Sequence, residues 1–414
     1  MRVLFLLFVV SITASAQDST KLSLLFIGDI MQHDTQIAAA LDPATGRYDY
    51  RECFRLVKPV FETADLTIGN LELSLGGPPY RGYPNFSAPD ELVETLIWSG
   101  VDVLVTANNH CLDRGKKGLQ RTISVLDTFR IPHTGTFVDS THRAHTYPLL
   151  LEKNGFRISL LNYTYGTNGI VVTKPNIVNY IDTTLIASDI NKAKEQQPDL
   201  IIAFFHWGDE YQRLPNKAQK SVADFCLNNG VKLVIGSHPH VLQPMEWRKE
   251  TDQLVVYSLG NFVSGQSSRY KNGGGMIYVE LGKNDSTTNI QSADYELQYV
   301  YRDAGKKYHI VPVRQFESDS TLVPGPAARA SIRQFAEDSR KLFMEHNLNI
   351  GERPAADSVY FIMIDTTSID SISSVLKFYK GAEFYDKDIA EQALSEIRAT
   401  HPDINAVLVR RRKD

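Results

Sequence analysis

The chain has 414 residues, of which 43% are hydrophobic and 22% are charged, and its formal net charge is −4. This composition is typical of a globular protein with one large domain and a smaller one. The negative net charge offers no basic patch for a phosphate backbone, so we expect no nucleic-acid partner.

The first residues have the pattern of a signal peptide. Arg2 precedes the apolar stretch 4–12, which is too short to span a bilayer, and Ala14-Ser15-Ala16 forms a small-x-small cleavage site. We therefore expect residues 1–16 to be removed and the protein to be exported, to the periplasm or the extracellular space. The alternatives are a buried first strand or an uncleaved segment that keeps the protein at the membrane.

The cysteines do not form a disulfide scaffold. Cys53, Cys111 and Cys226 are odd in number and widely spaced. We expect three buried, small apolar side chains, and the alternative is one bridge with one free thiol.

Short apolar runs repeatedly end in polar residues of the kinds that bind metals. The runs alternate with helical segments, which predicts a largely parallel sheet with a crevice at its carboxyl edge. The polar residues at the ends of the runs are Asp29; Asn70 and Glu72; Asn108, Asn109 and His110; His206; His238 and His240; and Asn261.

The set of side chains at this edge favours a metal centre. His238 and His240 are two residues apart in an extended segment, so both imidazoles point to the same side. Carboxylate, imidazole and amide oxygen together suit hard or borderline divalent cations. Two cations a few ångströms apart would activate a water and stabilise a leaving oxygen.

The chain changes character after its polar motifs. Segments 276–281, 295–301 and 308–313 alternate like antiparallel strands, and we expect them at the far side of the sheet system, with no chemistry of their own. Pro324-Gly325-Pro326 then marks a boundary, followed by a mainly helical pattern. We expect 324–414 to form an accessory α or α+β region.

Eight short motifs follow one another along the chain. The motifs are Gly28-Asp29-Ile30-Met31, Gly69-Asn70-Leu71-Glu72, Tyr83-Pro84-Asn85-Phe86, Ala107-Asn108-Asn109-His110, the segment 163–169, His206-Trp207-Gly208, the segment 236–241 and the segment 257–262. In this order they resemble the bacterial CapA family of capsule and poly-γ-glutamate synthesis proteins. The resemblance covers about residues 22–282.

The resemblance implies a fold and a set of roles. CapA proteins look like a branch of the calcineurin-like metallophosphoesterases, so residues 17–323 are expected to form a four-layer α/β/β/α metallophosphatase-like sandwich. It implies one or two divalent ions (Mn, Zn or Fe), with His110 as the catalytic acid or electrostatic stabiliser. The implied metal ligands are Asp29, Glu72, Asn109, His206, His238 and His240, and Asn70, Asn108 and Asn261 would orient ligands or contact substrate.

Met31 departs from the phosphoesterase pattern. The phosphoesterases have Asp-x-His where this chain has Asp29-Ile30-Met31, so one ligand is missing. A thioether is a poor ligand for hard cations, and His33 lies too far along to replace the histidine without rearrangement. One metal position is therefore expected to be weaker, and single occupancy is consistent with the sequence.

The resemblance implies a metal-dependent, hydrolase-like protein that acts on or handles an extracellular polymer, poly-γ-glutamate or a capsular polysaccharide. A membrane polymer-synthase complex is a further expected partner. Two alternatives stay open: a phosphoesterase of nucleotides or cell-wall phosphodiesters, and a non-catalytic assembly factor. The missing histidine at Met31 favours the assembly factor, whereas the other polar strand ends favour catalysis.

Overall fold

The computed structural model describes residues 20–284 and 287–354, residue 395, and the backbone of three C-terminal strands. The expected signal peptide, residues 1–16, lies outside the described residues. The three strands are Ser358–Ile364, Glu383–Phe384 and Ala406–Arg412.

The chain divides into two compact units, Met1–Gly351 and Glu352–Asp414. The division falls later than the boundary after residue 323 that Pro324-Gly325-Pro326 suggested. In the second unit, Ser358–Ile364 pairs antiparallel with both Glu383–Phe384 and Ala406–Arg412. An accessory role for this unit stays a prediction.

The first sheet of the large unit centres on the strand that carries Asp29. Its order is β16-β15-β14-β1-β2-β3-β4, and β13 also pairs with β1. Strands β1 to β4 pair in parallel, and β13 is parallel to β1, whereas β14, β15 and β16 follow β1 in antiparallel pairs. The bounds are β1 Thr20–Ile30, β2 Leu66–Leu71, β3 Val103–Val105, β4 His133–Thr134, β13 Asn261–Val263, β14 Gly273–Lys283, β15 Thr288–Arg302 and β16 Tyr308–Pro312. The antiparallel character predicted for 276–313 is correct, but these strands begin directly beside β1 rather than at a remote edge.

The second sheet has the order β11-β12-β10-β9-β7-β6, with parallel pairing of β7, β9, β10 and β12. Its bounds are β6 Leu149–Lys153, β7 Phe156–Thr164, β9 Leu200–His206, β10 Leu233–Ser237, β11 Leu242–Arg248 and β12 Gln253–Leu259. A small ribbon joins β5 (Thr136–Phe137) to β8 (Ile177–Val178). The sequence predicted that the polar residues at the strand ends lie along the edge of one sheet. They are instead divided between two sheets.

Alternating side chains explain why the sheets are stacked. In β1, Leu24 and Phe26 enter the core between the sheets, while Leu25 and Ile27 face helices on the outside. In the second sheet, β9 likewise places Phe204 in the shared core and its neighbours against the opposite helices. A strand buried on both faces reads as a continuous apolar run. The predicted four-layer α/β/β/α fold is confirmed.

Helices such as Glu91–Ser99 and Thr183–Glu195 cover the outer faces of this sandwich, whereas α10 (Pro326–His346) packs on the core between the sheets. Helix α10 packs Phe335 and Phe343 against Tyr299 and Tyr295 of β15, which makes it part of the large unit. The bounds are α1 Asp34–Ala40, α2 Arg51–Phe54, α3 Lys58–Phe61, α4 Glu91–Ser99, α5 Gly115–Thr128, α6 Ser140–Thr146, α7 Thr183–Glu195, α8 Lys217–Asn228, α9 Val313–Ser318, a 3₁₀ turn Ser320–Leu322 and α10 Pro326–His346. In the described part of the chain, no helix combines the length and apolar character needed to cross a membrane.

The three cysteines are free, and Cys111 and Cys226 are buried. Burial raises the pKa of the Cys111 thiol to about 12. The thiol therefore stays protonated at neutral pH and is a poor ligand or nucleophile, as expected of a small core side chain.

The chain crosses from the second sheet to the first at Gly260, beside Asp29. After β12 ends, the Gly260 carbonyl accepts a hydrogen bond from the Asp29 backbone N–H at 3.0 Å, and Asn261 pairs with Asp29 in register. A Cβ atom on Gly28 would lie 2.0 Å from the Gly260 oxygen, so only glycine permits this approach. Gly28 thus fixes where the Asp29 carboxylate emerges.

We expect Gly28→Ala to destabilise the protein by about 1–3 kcal/mol, because an added methyl group must push the crossing strand away. Gly166→Ala is the matched control, since a Cβ there meets no atom within 4 Å. Chemical denaturation of both variants measures the difference. Equal stability of the two would show that the approach at Gly260 is not tight.

Candidate metal centre

Two groups of buried side chains each bring three potential metal-binding atoms within 4.8 Å of one another. One group is Glu72, His206 and His238, and the other is Asp29, Glu72 and His240. The first sheet supplies the carboxylates and the second supplies the imidazoles. Because Glu72 belongs to both groups, its carboxylate lies where a bridge between two cations would be.

The Glu72 carboxylate is fully buried without a hydrogen-bond donor. Its Oε1 lies 3.4 Å from His206 Nε2 and 3.8 Å from His240 Nε2, and among the described residues neither Oε1 nor Oε2 accepts a hydrogen bond. Burial, and then the charge of Asp29, raise the pKa of Glu72 well above its usual value. An ionised carboxylate in such a place needs a positive charge beside it.

Asp29 is buried but well supplied with hydrogen bonds. It accepts one from Asn70 Nδ2 at 2.9 Å, and His240 Nδ1 lies 3.1 Å from its Oδ2. Burial alone would raise the pKa of Asp29, but His240 and then Asn70 hold it below the usual value. Because an ionised carboxylate only accepts, Nδ1 of His240 donates to Asp29, and Nε2 is the ring nitrogen that faces Glu72.

His206 has neighbours at the spacing of ligands in one coordination shell. Its Nε2 lies 2.8 Å from Asn109 Oδ1 and 3.4 Å from Glu72 Oε1. Ligand atoms 2.0–2.2 Å from one cation lie about 3 Å apart. Asn109 therefore adds a fourth donor to the group of Glu72, His206 and His238.

The His238–His240 turn is held in an unusual backbone conformation. The φ angles of His238 and His240 are +101° and +57°, a region that costs of order 1–3 kcal/mol for a residue other than glycine. His238 is buried, its Nδ1 is without a hydrogen-bond partner among the described residues, and its ring lies 4.6 Å from that of His206. Burial lowers the pKa of His206 and His238 well below the usual value, so both imidazoles are neutral and have a lone pair for a cation.

These residues fit one or two divalent cations. Glu72 and His238 bury atoms without hydrogen-bond partners at the centre, and the donors are carboxylate, imidazole and amide oxygen. This donor set suits Mn, Zn or Fe. Such cations, when bound, supply Lewis-acid chemistry, which activates a water and stabilises negative charge on a leaving oxygen.

His110 forms a pair with Asp113, a residue that the sequence analysis missed. His110 Nδ1 lies 2.7 Å from Asp113 Oδ2, which also accepts the Phe86 backbone N–H. The Phe86 ring packs edge-on against the imidazole, with 4.7 Å between centroids. Burial raises the pKa of Asp113 despite its contact with His110. The spacing of three residues between His110 and Asp113 could have indicated this pair in the sequence.

The three asparagines assigned to supporting roles have different positions. Asn70 bridges Asp29 and His206, with its Nδ2 at 2.9 Å from the carboxylate and 3.3 Å from His206 Nδ1. Asn108 donates to the Leu71 carbonyl and joins two strand ends.

Asn261 differs from the other two because it holds a loop. Its Nδ2 donates to the Lys271 carbonyl at 2.8 Å and to Gln266 at 3.1 Å. Its Oδ1 is buried without a hydrogen-bond partner among the described residues. Its side-chain amide therefore fixes the loop between β13 and β14.

Met31 takes no part in the centre. It is buried in the apolar core between the first sheet and its outer helices. His33 belongs to neither ligand group, and its Nδ1 accepts a hydrogen bond from the Gly265 backbone N–H at 3.1 Å. The group of Asp29, Glu72 and His240 therefore has one donor fewer than the group that includes Asn109.

Tyr165 covers the imidazoles and was not predicted as a site residue. Its ring lies 4.4 Å from that of His238 and 6.3 Å from that of His206, and 46% of the residue is exposed. Its backbone N–H donates to the His206 carbonyl, which fixes the loop at the mouth of the centre. The polar motif 163–169 was the available signal.

Comparison with known proteins identifies relatives of this chain. Residues 23–266 match the family model described as bacterial capsule synthesis protein PGA_cap. The chain is 30% identical over 267 residues to the capsule biosynthesis protein CapA of Bacillus anthracis. This alignment covers 60% of this chain and 61% of that protein. It is 27% identical over 318 residues to the PGA biosynthesis protein CapA of Bacillus subtilis (strain 168), with coverage of 73% and 79%. The match thus spans about three-fifths of the B. anthracis relative.

Solved structures with more distant likeness include two hydrolases. The calcineurin-like phosphoesterase YfkN from Bacillus subtilis aligns with 78% of this chain and 98% of its own, at 17% identity and a TM-score of 0.41. The NAD nucleotidase NadN of Haemophilus influenzae aligns with 80% of this chain and 64% of its own, at 14% identity and a TM-score of 0.45.

We expect Glu72→Gln to stabilise the chelator-treated protein at alkaline pH and to remove its stabilisation by added Mn²⁺ or Zn²⁺. The folded-state pKa of Glu72 is raised, so its contribution to stability falls as pH rises above the unfolded value. Between about pH 7 and pH 9, His206 and His238 are neutral in both states and do not mask this change.

Thermal unfolding at several pH values, with and without metal, measures both effects. Glu345→Gln, on the exposed end of α10, is the control. Wild-type metal stoichiometry in Glu72→Gln would contradict the bridging position.

Proposed function

Since this chain belongs to the bacterial capsule synthesis protein family PGA_cap, we propose that it is a metal-dependent, hydrolase-like protein acting on an extracellular polymer. The polymer is poly-γ-glutamate or a capsular polysaccharide, cleaved or handled during its synthesis or export. The name of the B. subtilis relative, a PGA biosynthesis protein, supports an anionic polymer.

The observation that carries this proposal is the Glu72 carboxylate. It is buried between two groups of ligand atoms and has no hydrogen-bond donor among the described residues. Burying an ionised carboxylate without compensation is unfavourable, and a protein that needed only a stable core would place an apolar residue there. Cations held by the two groups would offset this cost.

The residues around the centre have separate tasks in the proposed reaction. Asn109, Glu72, His206 and His238 would hold one cation, and Asp29, Glu72 and His240 would be the donors for a second, weaker position. His110 gives a proton to the leaving oxygen through Nε2, because Asp113 occupies Nδ1. The Asp113 carboxylate, 2.7 Å from Nδ1, orients the imidazole for this step.

The proposed location is outside the cytoplasm, in the periplasm or the extracellular space, and association with the membrane is part of the proposal. It rests on the pattern of residues 1–16, and a polymer made at the membrane is consistent with it. A membrane polymer-synthase complex is the proposed protein partner.

Two other functions predict different outcomes in one assay. The His110–Asp113 pair favours a phosphoesterase of nucleotides or cell-wall phosphodiesters, which would cleave simple phosphoesters faster than polymer. Burial of Met31 where the phosphoesterases have a histidine favours a non-catalytic assembly factor, which would bind metal without cleaving any of the three substrate types.

We expect His238→Ala and His110→Ala to separate metal binding from catalysis. His238→Ala removes a ligand, so bound metal and hydrolysis fall together, with loss of metal affinity of at least about tenfold. His110→Ala keeps the metal and lowers hydrolysis by about 10²–10⁴-fold, the usual contribution of a positioned acid. His346→Ala, on the exposed end of α10, is the control for both.

Metal analysis and incubation with γ-glutamyl polymer, polysaccharide and simple phosphoesters measure these effects. The proposal fails if wild-type protein holds no stoichiometric metal. It also fails if His238→Ala leaves metal content and activity unchanged.

A further inference from the structure

Lys271 lies close to the candidate metal centre and, among the described residues, has no carboxylate partner. The Lys271 ammonium is 4.1 Å from the centroid of the Tyr211 ring. Among the described residues, no carboxylate oxygen lies within 4.0 Å of this ammonium. Lys271 is partly exposed and 45% of Tyr211 is exposed, so a ligand can reach both.

Tyr211 connects this lysine to the metal-binding histidines. Its ring centroid lies 6.1 Å from that of His240. Because 4.1 Å and 6.1 Å are two sides of a triangle, Lys271 Nζ is within about 10 Å of the His240 ring, the length of about three extended residues. One ligand can therefore contact the centre and the ammonium at the same time.

Both residues are held in place by the centre itself. The Lys271 carbonyl accepts the hydrogen bond from Asn261, whose backbone pairs with Asp29. The Tyr211 backbone N–H donates to the Pro239 carbonyl at 2.8 Å, between the two histidines, and Tyr211 has a φ of +67°. A left-handed tyrosine is uncommon and persists only where its surroundings fix it.

The tyrosine ring also has a negative neighbour. Partial burial and then the adjoining Glu210 carboxylate raise the pKa of Tyr211 to about 12. Glu210 and Lys271 therefore place charges of opposite sign beside this ring, and the ammonium is the one that can pair with an anion.

We propose that Lys271 and Tyr211 form an anion-binding subsite, in which the ammonium binds a carboxylate or phosphate group of the ligand. The anion lies next to the group that reaches the metal centre. This subsite rests on the proposed function, because it selects acidic polymers over neutral ones for the same centre. Asn261 is then a positioning residue, which acts through the loop that contains Lys271.

The test compares Lys271→Met, Lys271→Arg and a matched control in the full-length protein. Lys249 is the control, because its ammonium also lies over an aromatic ring, that of Trp247, but just beyond the far end of β11. Binding of a short γ-linked glutamate oligomer, of inorganic phosphate and of a neutral oligosaccharide is measured calorimetrically. Each titration is made at low and high salt, with Mn²⁺ and after chelation, and bound metal is measured separately.

We expect Lys271→Met to weaken binding of an anionic probe about five- to tenfold at low salt and less at high salt. Lys271→Arg keeps most of the affinity, and Lys249→Met, neutral-oligosaccharide binding and metal content stay unchanged. A loss confined to the oligomer identifies a carboxylate as the natural anion, and one confined to phosphate identifies a phosphoryl group.

The subsite is overturned if Lys271→Met binds both anionic probes as wild type does or if wild type binds neither. Metal content and the His110→Ala result still decide the proposed function in that case.

Discussion

The contact of Asp29 with the His238–His240 turn is the interaction on which the arrangement of the centre depends. The carboxylate is on the first sheet, the turn is on the second, and the Gly260 crossing joins the sheets at the same place. The same turn also faces Glu72, since His240 Nε2 lies 3.8 Å from Glu72 Oε1. The left-handed conformations of the two histidines are tolerated because Asp29, Tyr211 and the crossing strand fix the turn from three sides.

Most of the fold could be predicted from sequence, because strands buried on both faces give continuous apolar runs and parallel strands bring their polar ends to one edge. The residues alone predicted one sheet, and only the family resemblance implied two. Apolar periodicity does not reveal that β12 and β13, separated by Gly260 alone, belong to different sheets. Nor did Pro324-Gly325-Pro326 show that α10 packs on β15, because proline and glycine mark the end of a helix or strand and need not mark the end of a domain.

The candidate site could be predicted where its residues follow a strand. The two ligand groups contain only residues named from sequence, and Asn109 lies beside them. Asp113, Tyr165 and Lys271 were missed because each lies in a loop whose path is set by contacts distant in sequence. The role of Asn261 in orienting ligands or substrate stays a prediction, and only distances reveal that its amide holds the loop between β13 and β14.

The contact between Asp29 and His240 joins positions 211 residues apart. A cation held by both would act as a removable cross-link, closing a loop that includes β2, β3 and β4 of the first sheet and β6, β7, β9 and β10 of the second. By the chain-entropy argument used for disulfides, closing a loop of that length lowers the conformational entropy of the unfolded chain. The free energy of unfolding then rises by about 5 kcal/mol. The described chain has three free thiols and no disulfide, so bound cations would take the place of a disulfide in linking distant parts of the chain. Metal supply would then determine how long the folded protein survives as well as whether it reacts.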